Sequence, residues 1–282
     1  MHIVSSNIEL QKELAGYRSS MPRAVKIGFV PTMGALHKGH IALLEQAKKE
    51  CDAVVVSIFV NPTQFNEIAD LEKYPRTPKE DYEMLANAGC DLVFSPTIKD
   101  IYPEKDIKLL QYDFGPLAEV MEGKFRPGHF QGMATVVYRL LNIVKADVAY
   151  FGEKDFQQLA IIRHLVKAFN INTEVVGVPT VREEDGLAMS SRNMRLNVHE
   201  RKAAVKLFQV LKNAQHDVQR YSLLQTCEFA IATLLTDPLI KPEYFEIADA
   251  ITLQPVDKYT RNIRAFVAAR VGEIRLIDNM PL

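Results

Sequence analysis

The chain has 282 residues, 48% hydrophobic and 24% charged, with 34 lysine and arginine side chains against 35 aspartate and glutamate for a net charge of -1. That length leaves room for two domains and a substantial core, and the composition excludes a disordered chain and a disulfide-stapled miniature scaffold. The balanced charge supplies no bulk attraction to nucleic acid or an anionic membrane, so any polyanion bound is expected to be small.

Residues 1–20 carry Glu9 and Glu13 among spaced apolar positions and lack the continuous apolar stretch of a secretion signal. Residues 25–30 form a β-branched and aromatic run, and 39–51 place Ile41, Leu44 and Ala47 near helical spacing, which predicts strand, loop, helix. Residues 53–60 are apolar nearly throughout, as expected of a central parallel strand covered on both faces, and are too short to cross a bilayer. Thr77, Pro78 and Glu80 read as N-cap, first helical position and capping-box partner of the next helix, with Gly89 as its stop, and a strand follows at 91–94.

The alternation continues with a helix at 132–145, a strand at 148–151, a helix at 155–169 and a strand at 173–178. Alternating strands and helices predict an α/β fold with a doubly wound parallel sheet, Rossmann-like, whose ligand crevice lies beyond the carboxyl ends of the strands. After Pro179 the pattern changes to helices at 197–218, capped by Asn197 and Glu200, and 222–235, then strands at 244–248, 263–271 and 274–277. The reading is therefore a domain over 1–179 and a smaller α+β C-terminal domain over 180–282, with the boundary at 178–181. Cys51, Cys90 and Cys227 are odd in number and far apart, which fits neither a disulfide framework nor a metal cluster. They read as buried thiols in a reducing compartment, the cytoplasm.

Pro31, Thr32, Met33, Gly34, Ala35, Leu36, His37, Lys38, Gly39 and His40 lie where the first of those strands hands over to its helix. Two imidazoles beside a helix N-terminus suit a phosphate, and they can donate to a phosphoryl group as charge moves onto it. A pair of surface histidines or a two-histidine zinc site are the competing readings of the spacing alone, the latter lacking a nearby third ligand. Far downstream, Met189, Ser190, Ser191 and Arg192 offer two hydroxyls and a permanent cation, a sensible phosphate clamp although also an ordinary polar turn. This stretch resembles the mobile loop that partners the His-x-Gly-His element in class I aminoacyl-tRNA synthetases and related nucleotidyltransferases, with arginine where that loop usually carries lysine. Gly152, Glu153, Lys154 and Asp155 follow another strand, and Lys154 brings a point charge suited to pyrophosphate. Gln64 closes the 53–60 strand region and can both donate and accept, and Gln158 opens a helix.

Taken together, these segments resemble the pantoate–β-alanine ligase family. The likeness rests on residues 31–40, Val-Ser-Ile-Phe-Val-Asn-Pro-Thr-Gln-Phe at 56–65, Tyr-Pro-Arg-Thr at 74–77 and Arg-Pro-Gly-His-Phe at 126–130. It continues with Phe-Gly-Glu-Lys-Asp-Phe-Gln-Gln at 151–158, Asp-Gly-Leu-Ala-Met-Ser-Ser-Arg-Asn at 185–193 and Arg-Leu-Ile-Asp-Asn at 275–279, all in order along the chain.

The resemblance implies an AMP-forming ligase that condenses pantoate with β-alanine through a pantoyl adenylate, with ATP as substrate and Mg2+ accompanying it. It implies that residues 31–40, Gly152 to Asp155, Val181 and Met189 to Arg192 contact ATP, with His40, His37 and Lys154 catalytic. Gln64 and Gln158 would hold pantoate and Gln64 also β-alanine. No protein metal site is expected, Glu80 and Asp81 reading as helix-end charges rather than ligands of magnesium. Arg126 and His129 read equally as pocket or purely structural residues, and a homodimer without nucleic-acid or membrane partners is expected. A cover over the reactive intermediate is expected from 66–77 or from the C-terminal domain. The alternative activity is adenylation of a small phosphate-bearing acceptor.

Overall fold

The computed structural model describes residues 1–20, 22–65, 68–104 and 107–282. Its elements begin with β1 (His2–Val4), α1 (Asn7–Ser19), β2 (Ile27–Thr32), α2 (Lys38–Glu50), β3 (Ala53–Ile58), α3 (Ile68–Glu72), α4 (Pro78–Asn87), β4 (Leu92–Phe94) and α5 (Ile98–Ile101). They continue with α6 (Met121–Phe125), α7 (His129–Val144), β5 (Val148–Gly152), α8 (Phe156–Ala168) and β6 (Glu174–Val178). The chain ends with α9 (Val198–Asp217), α10 (Leu223–Leu235), β7 (Ile240–Asp249), β8 (Ile263–Val271) and β9 (Ile274–Pro281).

Contacts divide the chain into two compact units. The first comprises Met1–Asp113, Pro127–Glu153 and Ile161–Pro179, and the second Phe114–Arg126, Lys154–Ala160 and Thr180–Leu282. Two segments that precede residue 180 thus pack with the C-terminal part of the chain.

The first unit holds the expected α/β fold: six parallel strands in the order β1-β4-β3-β2-β5-β6. The continuous apolar run of β3 is explained by its place, between β4 and β2, with its first five residues buried. From β2 the strands proceed through β3 and β4 in one direction, whereas β5 and β6 extend the sheet in the other. The reversal falls between β2 and β5, so loops leaving the carboxyl ends of those strands open on the crevice where doubly wound sheets bind ligands.

The second unit is built on an antiparallel sheet, β7-β8-β9. Leu207, Leu211 and Leu234 of α9 and α10 cluster with Ile247, Val267 and Leu276 of the sheet in one core. A second cluster joins Met121 and Phe156 to Tyr244, Leu253 and Phe266, which explains why α6 and the first turn of α8 belong here.

Several elements depart from the expected bounds. β1 and α1 are additions, the helix started by a reciprocal cap between Ser6 and Glu9. α7 begins at His129, because Gly132 is an interior position rather than a start. Thr77 makes no side-chain cap, and its hydroxyl donates instead to Asp81 Oδ1 at 3.1 Å. Within the irregular stretch expected at 66–77, residues Ile68–Glu72 are helical, and positions 66 and 67 lie outside the described residues. Among the described residues, no helix is long and apolar enough to cross a membrane.

Candidate active site

The histidine loop leaves the carboxyl end of β2 at the strand-order reversal. Thr32 anchors its start by donating to the Ser57 carbonyl at 2.7 Å and accepting the Gly34 N–H at 3.3 Å. Gly34 and Ala35 then take left-handed backbone, with φ of 75° and 48°. For alanine that conformation costs free energy and needs support. Asp81 of α4 supplies it, accepting the N–H groups of Ala35 and Leu36 at 2.9 and 2.7 Å. The carboxylate is 2% exposed, and its neighbours include the Thr77 hydroxyl, so it is committed to the loop. A buried charge whose oxygens already accept backbone N–H groups is a poor magnesium ligand, and Asp81 is a structural anchor.

His37 is the N-cap of α2 and His40 lies in its first turn. The His37 ring Nδ1 accepts the Gly39 N–H at 3.1 Å, and the His40 ring Nδ1 accepts the His37 N–H at 3.2 Å. The two rings lie 4.1 Å apart, tilted by 41°. A nitrogen that accepts carries no proton, so in the neutral rings the proton resides on Nε2, a hydrogen-bond donor. The helix end is therefore capped by the imidazoles themselves.

Gln64 closes a short 3-10 turn, Pro62–Gln64, capped by Asn61. Asn61 is 1% exposed and donates to Gln64 Oε1 at 3.0 Å and to the Gly132 carbonyl at 3.2 Å, while its own oxygen accepts the Tyr102 hydroxyl at 2.8 Å. Gln64 Nε2 lies 2.9 Å from Met33 Sδ, linking the turn to the histidine loop. His129 Nδ1 lies 2.8 Å from the Gln64 carbonyl, which can only accept, so that nitrogen carries the proton. A Cβ on Gly132 would stand 2.0 Å from the Thr63 carbonyl oxygen, so glycine lets α7 press against this turn. His129 is thus a brace behind Gln64; Asn61, Tyr102 and Gly132, which residue types alone did not single out, complete the mounting.

In the second unit, Lys154 is four-fifths buried and its ammonium lies 3.8 Å from Asp155. Its carbonyl accepts Asn279 Nδ2 at 2.8 Å. The segment from Val181 to Arg192 doubles back, Met189 N–H donating to the Val181 carbonyl at 3.0 Å and Arg182 bridging to Ala188. Arg182 is fixed by Asp278 at 2.6 and 2.9 Å. Ser190 caps the short turn Ser191–Arg195 by accepting the Arg192 N–H at 3.3 Å, which makes one of the two clamp hydroxyls part of the loop's own architecture. Gln158 lies half-buried in the first turn of α8, while its neighbour Gln157 is 4% exposed and ties down α6 through the Glu122 N–H and the Leu117 and Val120 carbonyls.

Arg126 also belongs to the second unit, 3.5 Å from Glu122. Burial pushes the Glu122 carboxyl up, but the two-pronged Arg275 guanidinium at 2.7 and 2.8 Å, the charge of Arg126 and the Tyr244 hydroxyl outweigh it and hold the group down at about 2. Burial lowers the Arg126 pKa, Glu122 opposes the shift, and the like charges of Arg192 and Arg275 add to it.

The first unit thus gathers residues 31–40, Gln64 and His129, and the second gathers Lys154, Val181 and Met189 to Arg192, with Gly152 and Glu153 at the end of β5 in the first. Among the described residues, no three His, Cys, Asp or Glu are placed to hold a metal ion. Glu80 is exposed in the first turn of α4.

The model for pantoate–β-alanine ligase matches residues 2–281. A pantothenate synthetase of Porphyromonas gingivalis is 48% identical over 256 residues, 90% of each chain, and one of Phocaeicola vulgatus is 48% identical over 283 residues, 99% of each. The crystal structure of pantothenate synthetase from Thermus thermophilus superposes with a TM-score of 0.91 at 44% identity, covering 100% of this chain and 99% of that one. The pantoate–β-alanine ligase of Francisella tularensis, complexed with beta-gamma ATP and β-alanine, gives 0.82 at 40% identity, covering 100% and 97%. With a family match over nearly every residue and relatives this close over their full length, the chain belongs to the pantoate–β-alanine ligase family.

Proposed function

We propose that this chain joins pantoate to β-alanine in two steps at one site, with MgATP as the activating substrate. In the first, a pantoate carboxylate oxygen attacks the α-phosphorus, the bond to the β-phosphate breaks, and pyrophosphate leaves. In the second, the β-alanine amine attacks the acyl carbon of the adenylate, the carbon–nitrogen bond forms, AMP departs and the amine loses a proton. The Francisella tularensis relative, complexed with beta-gamma ATP and β-alanine, supports ATP and β-alanine as ligands here.

The carboxylate is ionised near neutrality, so the first step needs no general base. It needs alignment and stabilisation of charge leaving with pyrophosphate. The single observation that carries the reading is the mutual capping of His37 and His40 at the strand-order reversal, which puts a donor proton on each Nε2 in the neutral rings. In this reading, carried by family likeness, the ATP contacts are residues 31–40, Gly152 to Asp155, Val181 and Met189 to Arg192. Gln64 and Gln158 hold pantoate, Gln64 also serves β-alanine, and magnesium rides on the phosphate oxygens. By family likeness the protein works as a cytoplasmic homodimer, which sedimentation tests.

The deciding experiment is pantoate-dependent exchange of labelled pyrophosphate into ATP, followed by AMP release on adding β-alanine. Exchange in the wild type that collapses in His40→Ala is the expected result. Exchange that needs no pantoate, or AMP release without β-alanine, overturns the reading.

A further inference from the structure

We propose that Asp278 and Asn279 of β9 are positioning residues that lock Lys154 and the Val181–Arg192 segment into one arrangement, setting the phosphate-binding geometry of the second unit. Both belong to a strand of the small sheet, and both are nearly fully buried at 4% and 3% exposure. Burying a carboxylate and an amide costs free energy unless each is partnered. Their partners make them more than filling for the core.

Asn279 Nδ2 donates to the Lys154 carbonyl at 2.8 Å, fixing the main chain from which the lysine side chain springs. Asn279 is itself held on the other side of its amide, where Arg264 donates to Oδ1. Its backbone carbonyl accepts Arg182 Nη2 at 3.3 Å, and its N–H donates to Asp278 Oδ1 at 2.7 Å. Asp278 grips Arg182 with both oxygens at 2.6 and 2.9 Å. Arg182 in turn donates to the Gly186 carbonyl at 3.0 Å and lies 4.9 Å from the Phe208 ring, so the base of the segment is clamped on three sides.

Two adjacent strand residues therefore bind two segments that are well separated in sequence, and each attachment sits on backbone or on a planar guanidinium fork that allows little rotation. An apolar pair at 278 and 279 could fill the same volume, but it would leave the Lys154 carbonyl and the Arg182 guanidinium without these bonds. The bonds aim functional groups without touching a substrate.

The inference rests on the proposed role of Lys154 and Arg192 in binding ATP, and the test separates the two. Steady-state KM for ATP and for β-alanine, kcat and pyrophosphate exchange are measured for Asn279→Ala, Asn279→Asp and Asp278→Asn beside Lys154→Ala and Arg192→Ala. Loss of one positioning hydrogen bond is expected to raise KM for ATP by roughly fivefold to tenfold, with KM for β-alanine within about twofold. Asn279→Asp keeps the side-chain shape and the oxygen facing Arg264 while losing the Nδ2 donor, and a circular dichroism melt of each variant beside its kinetics separates a folding loss from a change in KM. A merely structural role lowers the active fraction, so that kcat falls and both KM values stay, and this result overturns the inference. If Lys154→Ala and Arg192→Ala leave KM for ATP unchanged, the phosphate assignment itself fails. If they raise it while the 278 and 279 variants do not, only the positioning role fails.

Discussion

Asp81 Oδ1 accepts the backbone N–H of Leu36 at 2.7 Å, so that a helix 45 residues further along the chain holds the loop carrying both histidines. The partner oxygen takes the N–H of Ala35, whose backbone is left-handed. Asp81→Asn turns one of these acceptors into a donor facing a donor. We expect a loss of about 1–3 kcal/mol in urea unfolding, the cost of leaving a buried N–H unsatisfied. Unfolding at the wild-type midpoint would show that the carboxylate is dispensable.

In the proposed mechanism, His40→Ala removes a donor to the charge that develops on the phosphates. By comparison with deletion of a preorganised donor elsewhere, turnover should drop by about a hundredfold or more, equivalent to roughly 3–4 kcal/mol. Rapid quench of the adenylate-forming step measures this directly, and a drop confined to the β-alanine step would reassign the residue.

Gly132→Ala drives a methyl group into the Thr63 carbonyl. The turn that carries Gln64 must move, so KM for pantoate should rise at least severalfold, with a stability loss of about 1–3 kcal/mol from overpacking. Calorimetry and kinetics on the same preparation check both halves. An unchanged KM would place Gln64 outside the pantoate site.

Glu122 sets an acid limit on the second unit. Its folded pKa of about 2 lies below the ordinary value of 4.5, so its ionisation stabilises the fold at any pH above the ordinary value. That stabilisation is lost as the pH falls from about 4.5 towards 2. Glu122→Gln should flatten the stability profile over this window and lower stability at neutral pH, as circular dichroism melts at stepped pH will show. A mutant profile parallel to that of the wild type would assign acid sensitivity elsewhere.

The parallel sheet was legible because β2, β3 and β5 are apolar runs separated by amphipathic helices, a pattern that burial on both faces imposes. The place of the histidine loop was legible from its residues, the imidazoles and glycines standing at a strand-to-helix turn. What sequence hid were the supports. Asp81 looks like any first-turn acid, and only its contact with Ala35 and Leu36 distinguishes it from its neighbour Glu80. Asp278 and Asn279 read as the end of a strand because polar residues usually face water, yet β9 continues through them to Pro281. Likewise β7 starts at Ile240, ahead of the Pro242 irregularity that disguised its beginning. The Ser6 and Glu9 cap was present in the letters, but α1 buries only Leu10 and Leu14, a stripe too thin to announce a helix.

The threading of Phe114–Arg126 and Lys154–Ala160 into the unit otherwise formed by Thr180–Leu282 has a genetic consequence. A fragment made by cutting once after Pro179 would lose Met121 and Phe156, exposing Tyr244, Leu253 and Phe266 to water and inviting self-association. Grafting that fragment onto a foreign catalytic body therefore yields a sticky stump rather than a portable module.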